Sequence, residues 1–120
     1  MIQPIVLHGT TSHEAIVDCI CRIVMGLDTN DWKLCKYGFV GDHIGFTFEM
    51  DGQTVSSGLE TFKDHILTRI AKLDTIHCVS NVRIDEQGSE NGVDQAHVMV
   101  YVMAQHARPG DGRKGEAAKL

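Results

Sequence analysis

The sequence predicts an α+β fold, with helices covering one side of a curved antiparallel sheet. Three observations carry this. Apolar residues recur at helical spacing in Ile16, Ile20, Ile23, Val24 and Leu27, and again in Leu59, Phe62, Ile66, Ile70 and Leu73. Asp51-Gly52 is a two-residue hairpin signal between two short alternating stretches. Two long alternating runs, Thr75 to Asp85 and Val93 to His106, then follow one another across a polar turn. Helices segregated to one face of such a sheet leave a cone-shaped cavity, mostly apolar, that suits a small organic ligand.

The elements follow in order. Residues 1–11 read as a lead-in, 12–110 as one domain and 111–120 as a flexible tail rich in Gly, Lys and Ala. Thr11 and Glu14 have capping-box spacing, so the first helix starts at Ser12 and runs to Leu27. Asp28 lies four residues past Val24, on the apolar face if the helix continues. An acid placed there must be paired, hydrated or used. Thr29 or Asn30 starts a short second helix that ends near Gly38, with Asp31 as a solvated acid of its first turn. His43 to Met50 and Gln53 to Ser57 form the hairpin, and Gly58 opens a third helix, on which His65 is a surface residue. Glu86 to Gly92 is a polar loop between the two long strands.

Composition excludes several functions. The chain has 120 residues, 42% hydrophobic, enough for one core. Its net charge is −5, with Lys and Arg scattered, which argues against nucleic acid as a partner. No apolar run approaches the length of a membrane span, and the N-terminus lacks a basic region ahead of an apolar one, so a cytoplasmic protein is expected. The four cysteines include no Cys-x-x-Cys pair and read as buried free thiols. The seven histidines give no His-x-His or His-x-x-x-His pair on one element, so no metal site is expected. Neither a phosphate loop, a dinucleotide fingerprint nor a nucleophile elbow is present, and no cofactor is expected.

The chemistry concentrates on Thr75 to Asp85. Strict alternation puts His77, Val79, Asn81 and Arg83 on one face. Three polar groups around one valine are a costly core lining, because each needs a partner. That face therefore reads as a pocket wall, with His77 as the working base. Asn81 is placed to donate to a substrate oxygen and Arg83 to stand at the mouth. Tyr101 and His97 on the next strand, and His106 at its end, are further candidate substrate contacts.

Three segments together resemble the SnoaL-like group of the nuclear transport factor 2-like superfamily, which includes scytalone dehydratase and hexachlorocyclohexane dehydrochlorinase. They are Gly26-Leu27-Asp28-Thr29-Asn30-Asp31-Trp32, Ile76-His77-Cys78-Val79-Ser80-Asn81, and Met103 through Gly110. The resemblance implies an α+β barrel with a deep conical pocket and a catalytic pair of one aspartate and one histidine. The matching positions here are Asp28 and His77, and Trp32 joins the substrate contacts. Members of the group run on into two more strands beyond the Pro109-Gly110 piece, so the barrel is expected to lack its last strands. An open sheet edge predicts self-association into a dimer or trimer. Leu27 stands where scytalone dehydratase carries a tyrosine that polarises substrate.

The resulting expectation is a cofactor-independent acid-base enzyme. It would be a lyase, isomerase or cyclase acting on a small hydrophobic or aromatic, polyketide-like molecule. The alternative is a non-catalytic binding or dimerisation module of the same fold, in which Asp28 and His77 only tie helix to sheet.

Overall fold

The computed structural model describes residues 6–50, 53–56, 58–70, 72–90 and 93–110. The expected turns at Asp51-Gly52 and Asn91-Gly92 and the tail at 111–120 lie outside them. Helix α1 (Ser12–Asp28) begins as the capping box requires. The Glu14 amide donates to Thr11 Oγ1 at 3.2 Å, and the Thr11 amide donates to the Glu14 carboxylate at 3.1 Å. Helix α2 (Trp32–Lys36) is capped by Asp31, whose carboxylate accepts from the Leu34 amide at 3.1 Å. Asp31 is thus a structural N-cap, one step more specific than a solvated first-turn acid.

Strands β1 (Thr47–Met50) and β2 (Gln53–Ser56) pair antiparallel as the hairpin. The third helical region is broken where the sequence reads as one helix. It comprises α3 (Leu59–Phe62), a π-helical turn (Lys63–Leu67) and α4 (Thr68–Ile70). The π turn widens the helix, and the neighbours Ile66 and Leu67 are both buried. They join Leu27 and Cys35 in the core, with Ile23, Trp32, Phe39, Phe62 and Ile70 packed around them. Phe62 meets Phe39 and Phe46 edge-on at 5.0 and 5.5 Å between ring centroids.

Strands β3 (Asp74–Glu90) and β4 (Val93–Ala107) form a long antiparallel ribbon. Among the described residues the ribbon and the β1–β2 hairpin are separate two-stranded sheets. β3 continues through most of the expected Glu86–Gly92 loop, where Glu86 and Gln87 are exposed and a ribbon of this length tolerates polar side chains.

The ribbon contains one feature that alters the site. Ser80 pairs with Tyr101 and Arg83 with Met99, so two residues of β3 oppose one of β4. This is a β-bulge, and Asn81 sits in it with φ of 55°. The inserted residue reverses the inward parity. Thr75, His77 and Val79 face the helices before the bulge, and Val82 and Ile84 face them after it, all partly buried, whereas Asn81 and Arg83 are exposed. The expectation that Asn81 and Arg83 share the His77 face is corrected on this ground. Asn tolerates a left-handed backbone and a β-branched residue does not. Asn81→Val is therefore expected to lower unfolding free energy by about 1–2 kcal/mol, while Asn81→Gly stays near wild type. Chemical denaturation of both variants checks this.

Candidate functional site

Asp28 is the last residue of α1, and His77 is the fourth of β3. The helix end delivers the acid because the turn after it is tightly closed. The Thr29 amide donates to the Met25 carbonyl at 3.0 Å, and the Asp31 amide to the Gly26 carbonyl at 2.8 Å. Helix α2 then folds back so closely that a Cβ on Gly26 would lie 2.5 Å from the Cys35 amide nitrogen. Only glycine permits that approach.

The two side chains meet directly. Asp28 Oδ1 lies 2.6 Å from His77 Nδ1, and Asp28 Oδ2 accepts the His77 backbone N–H at 3.1 Å. Their side chains are 18% and 8% exposed, so solvent screening of the contact is limited. An ionised carboxylate only accepts, so Nδ1 carries the proton. In the neutral ring Nε2 is then unprotonated and basic. A positive charge arriving on the ring is stabilised by the same carboxylate. The use of both Asp28 oxygens fixes the position of the ring as well as its tautomer.

A second histidine stands beside the first. His77 pairs across the ribbon with Ala104, and Thr75 with His106. The His106 and His77 ring centroids are 5.5 Å apart at 68°. His106 Nδ1 is 2.7 Å from the Thr75 hydroxyl. Burial holds the His106 pKa below its ordinary value, and the nearby His77 lowers it further, against a smaller opposing effect of Asp28. His106 thus favours the neutral form. The site couples an anion-backed imidazole to a neighbour that resists protonation. Thr75 was absent from the sequence-derived candidates. Its signal was available, since it shares parity with His77 two residues before it.

The remaining candidates lie elsewhere. Tyr101 is 68% exposed and pairs with Ser80, on the face away from the helices. His97 pairs with Asp85 and is exposed on that outer face, as are Asn81 and Arg83 beyond the bulge. These four are corrected from pocket contacts to outer-face residues. Trp32 is half-buried against the core cluster, with the Lys63 ammonium 5.3 Å from its ring centroid. Of the eight candidates, the structure brings together Asp28, His77 and His106.

The inner face is open beside them. Val102, paired with Val79, is 47% exposed, and Ala104 beside His77 is exposed. A two-stranded ribbon cannot curve round to close a cone. A cavity of about 620 Å³ does open between α1 and the far end of the ribbon, lined by Ser12, Ile16, Glu86 and Gln95. Ser12 is a helix length from Asp28, so that cavity is remote from the pair. Among the described residues no cluster of His, Cys, Asp and Glu could hold a metal ion, and no helix is long and apolar enough to cross a membrane.

Comparison with known proteins agrees with this architecture. The chain is 30% identical over 104 residues to "Terrestric acid biosynthesis cluster protein E" of Penicillium crustosum. The matched region is 87% of this chain and 62% of that relative's length. Among solved structures there is no significant match. Residues 10–118 match the SnoaL-like domain, a span that holds α1, the Asp28–His77 contact and the whole ribbon. The chain belongs to the SnoaL-like domain family.

Proposed function

We propose that the protein is a cofactor-independent acid-base enzyme acting on a small, enolisable hydrophobic or aromatic molecule. The observation that carries the reading is the 2.6 Å contact between Asp28 and His77 Nδ1. It leaves Nε2 as a base whose conjugate acid is already paired. Nε2 takes a proton from a carbon next to a carbonyl, and the C–H electrons pass into the enolate. In this reading Thr75 donates to His106 Nδ1, and His106 Nε2–H donates a hydrogen bond to the developing oxyanion. The enolate then expels a β-substituent, regains a proton at another carbon, or attacks a second carbonyl. These outcomes are elimination, isomerisation and ring closure, and all three begin with the same proton transfer. General acid-base help of this kind supplies about 10² to 10⁴ in rate.

A role in the assembly of a polyketide-like natural product is supported by the family and by the relative whose name places it in a biosynthesis cluster. The test is proton exchange. Aryl methyl ketones exchange their α-hydrogens slowly unaided, and in D₂O the protein should accelerate this exchange, as followed by proton NMR. Ketone bound without acceleration would favour the second reading, a binding module. The open inner face at Val102 and Ala104 supports that second reading, because it leaves the pair less shielded from water than a closed pocket would.

A further inference from the structure

The inner face of the ribbon, at the end that holds His77, is a ladder of three cross-strand pairs. Thr75 opposes His106, His77 opposes Ala104, and Val79 opposes Val102. Residues directly opposite across an antiparallel pair share a face. The first rung is polar, with the Thr75 hydroxyl 2.7 Å from the His106 ring. The third rung is aliphatic. The middle rung holds the base on β3 and only a methyl on β4. That methyl interrupts a run of valines, since Val98, Val100 and Val102 precede it at alternate positions. Alanine is depleted in strands, where β-branched residues pack better. Close packing can demand a small residue, as at Ala107, which is 3% exposed. Ala104 instead is exposed, so the space above its methyl is open to solvent. The strand keeps a gap beside its base.

We propose that Ala104 is the specificity-determining residue of the site, the floor on which the carbonyl carbon of an aryl ketone rests. The inference builds on the acid-base reading above. The directions out of Ala104 match the three substituents of a ketone carbonyl carbon. His106 and Val102 flank Ala104 along β4, each about 7 Å away on the same face. His77 lies across the ribbon, with Cβ atoms about 4.5–5.5 Å apart. With the carbonyl carbon over the Ala104 methyl, the oxygen points to His106 and the α-carbon to His77. The third substituent points to Val102 and Val79. Val102 is 47% exposed, so an apolar ring laid against it removes apolar surface of both partners from water. A charged substituent gains no partner from either valine. A side chain larger than methyl at position 104 occupies the place of the carbonyl carbon and turns the ketone away from both histidines.

Acetophenone, with acetone as the ringless comparison, tests this on the full chain. In wild type, nuclear Overhauser contacts should join the acetophenone ring protons to the Val102 methyls, and its methyl protons to the His77 ring. The ratio of exchange efficiencies, acetophenone over acetone, should fall at least about tenfold in Ala104→Leu. It should fall about threefold in Val102→Ala, which leaves the middle rung intact. The His77 nitrogen-15 signals of both variants should keep the proton on Nδ1, which makes the loss one of fit rather than of the base. Ring protons that contact other residues, or none, overturn the inference, as do ratios unchanged in both variants. Contacts at Val102 without any exchange uphold the docking and remove the enzymatic reading. Exchange without those contacts does the reverse.

Discussion

His77→Ala lowers the rate of ketone α-proton exchange by about 10² to 10⁴, and Asp28→Asn approaches the same loss. The asparagine effect follows from donor counting. Asp28 accepts twice from His77, once from the ring and once from the backbone. An asparagine side chain has one accepting oxygen and one donating amino group. If the oxygen faces the backbone N–H, the amino group faces Nδ1. The ring must then hold its proton on Nε2, and the base is blocked. If the amide flips, the backbone N–H of His77 loses its acceptor at a cost of about 1–3 kcal/mol. Exchange measured in both variants, with circular dichroism to show retained fold, decides the matter. Wild-type rates in both would remove the proton-transfer role from this pair.

Gly26→Ala has the largest expected effect on stability. An added methyl lies 2.5 Å from both Cys35 Cβ and its amide nitrogen, and 2.7 Å from its Cα. Two of those three atoms are backbone, so trimming the Cys35 side chain gives no relief. Cys35 is fully buried, and its thiol pKa is pushed up to about 11 by burial and by Asp31. Helices α1 and α2 must separate, at a cost of about 3 kcal/mol, the upper range for overpacking. A fall in Tm of roughly 10 °C or more follows for a domain of this size. Gly41→Ala, with open space around its Cβ, is the control and should lie within about 0.5 kcal/mol of wild type. Because Gly26 precedes Asp28 by two residues, the alanine variant also displaces the acid, and exchange falls with stability.

Much of this arrangement is legible in the sequence. Thr11 and Glu14 announce the start of α1 through spacing alone, and the capping bonds form as that spacing requires. Asp28 stood out as an acid on an apolar stripe, and His77 as a histidine inside a strand. Both signals are violations of burial rules, which is why the residues that meet in space could be singled out in sequence. The bulge misplaces Asn81 and Arg83, whereas His97 and Tyr101 lie on β4, where alternation is unbroken and does not by itself say which parity faces the helices. Alternation is counted from a starting point, and a single inserted residue reverses every later assignment while leaving the pattern intact. Asn81 was the available cue, since asparagine is among the few residues that tolerate the bulge conformation. The π turn at Lys63–Leu67 left no comparable mark, because Leu59, Phe62, Ile66 and Ile70 fit an unbroken α-helix. The fold-back at Gly26 depends on how near α2 comes, a tertiary fact that no local pattern encodes.

The account depends on which nitrogen of His77 carries the proton. Nitrogen-15 NMR of the histidine rings, with His77→Ala to assign the signal, reads this directly. In the neutral ring of His77, the bond to Asp28 predicts a protonated Nδ1 and a bare Nε2. In Asp28→Asn the proton should move to Nε2. A wild-type ring with its proton on Nε2 would contradict the account, because the nitrogen meant to take a proton from carbon would already hold one.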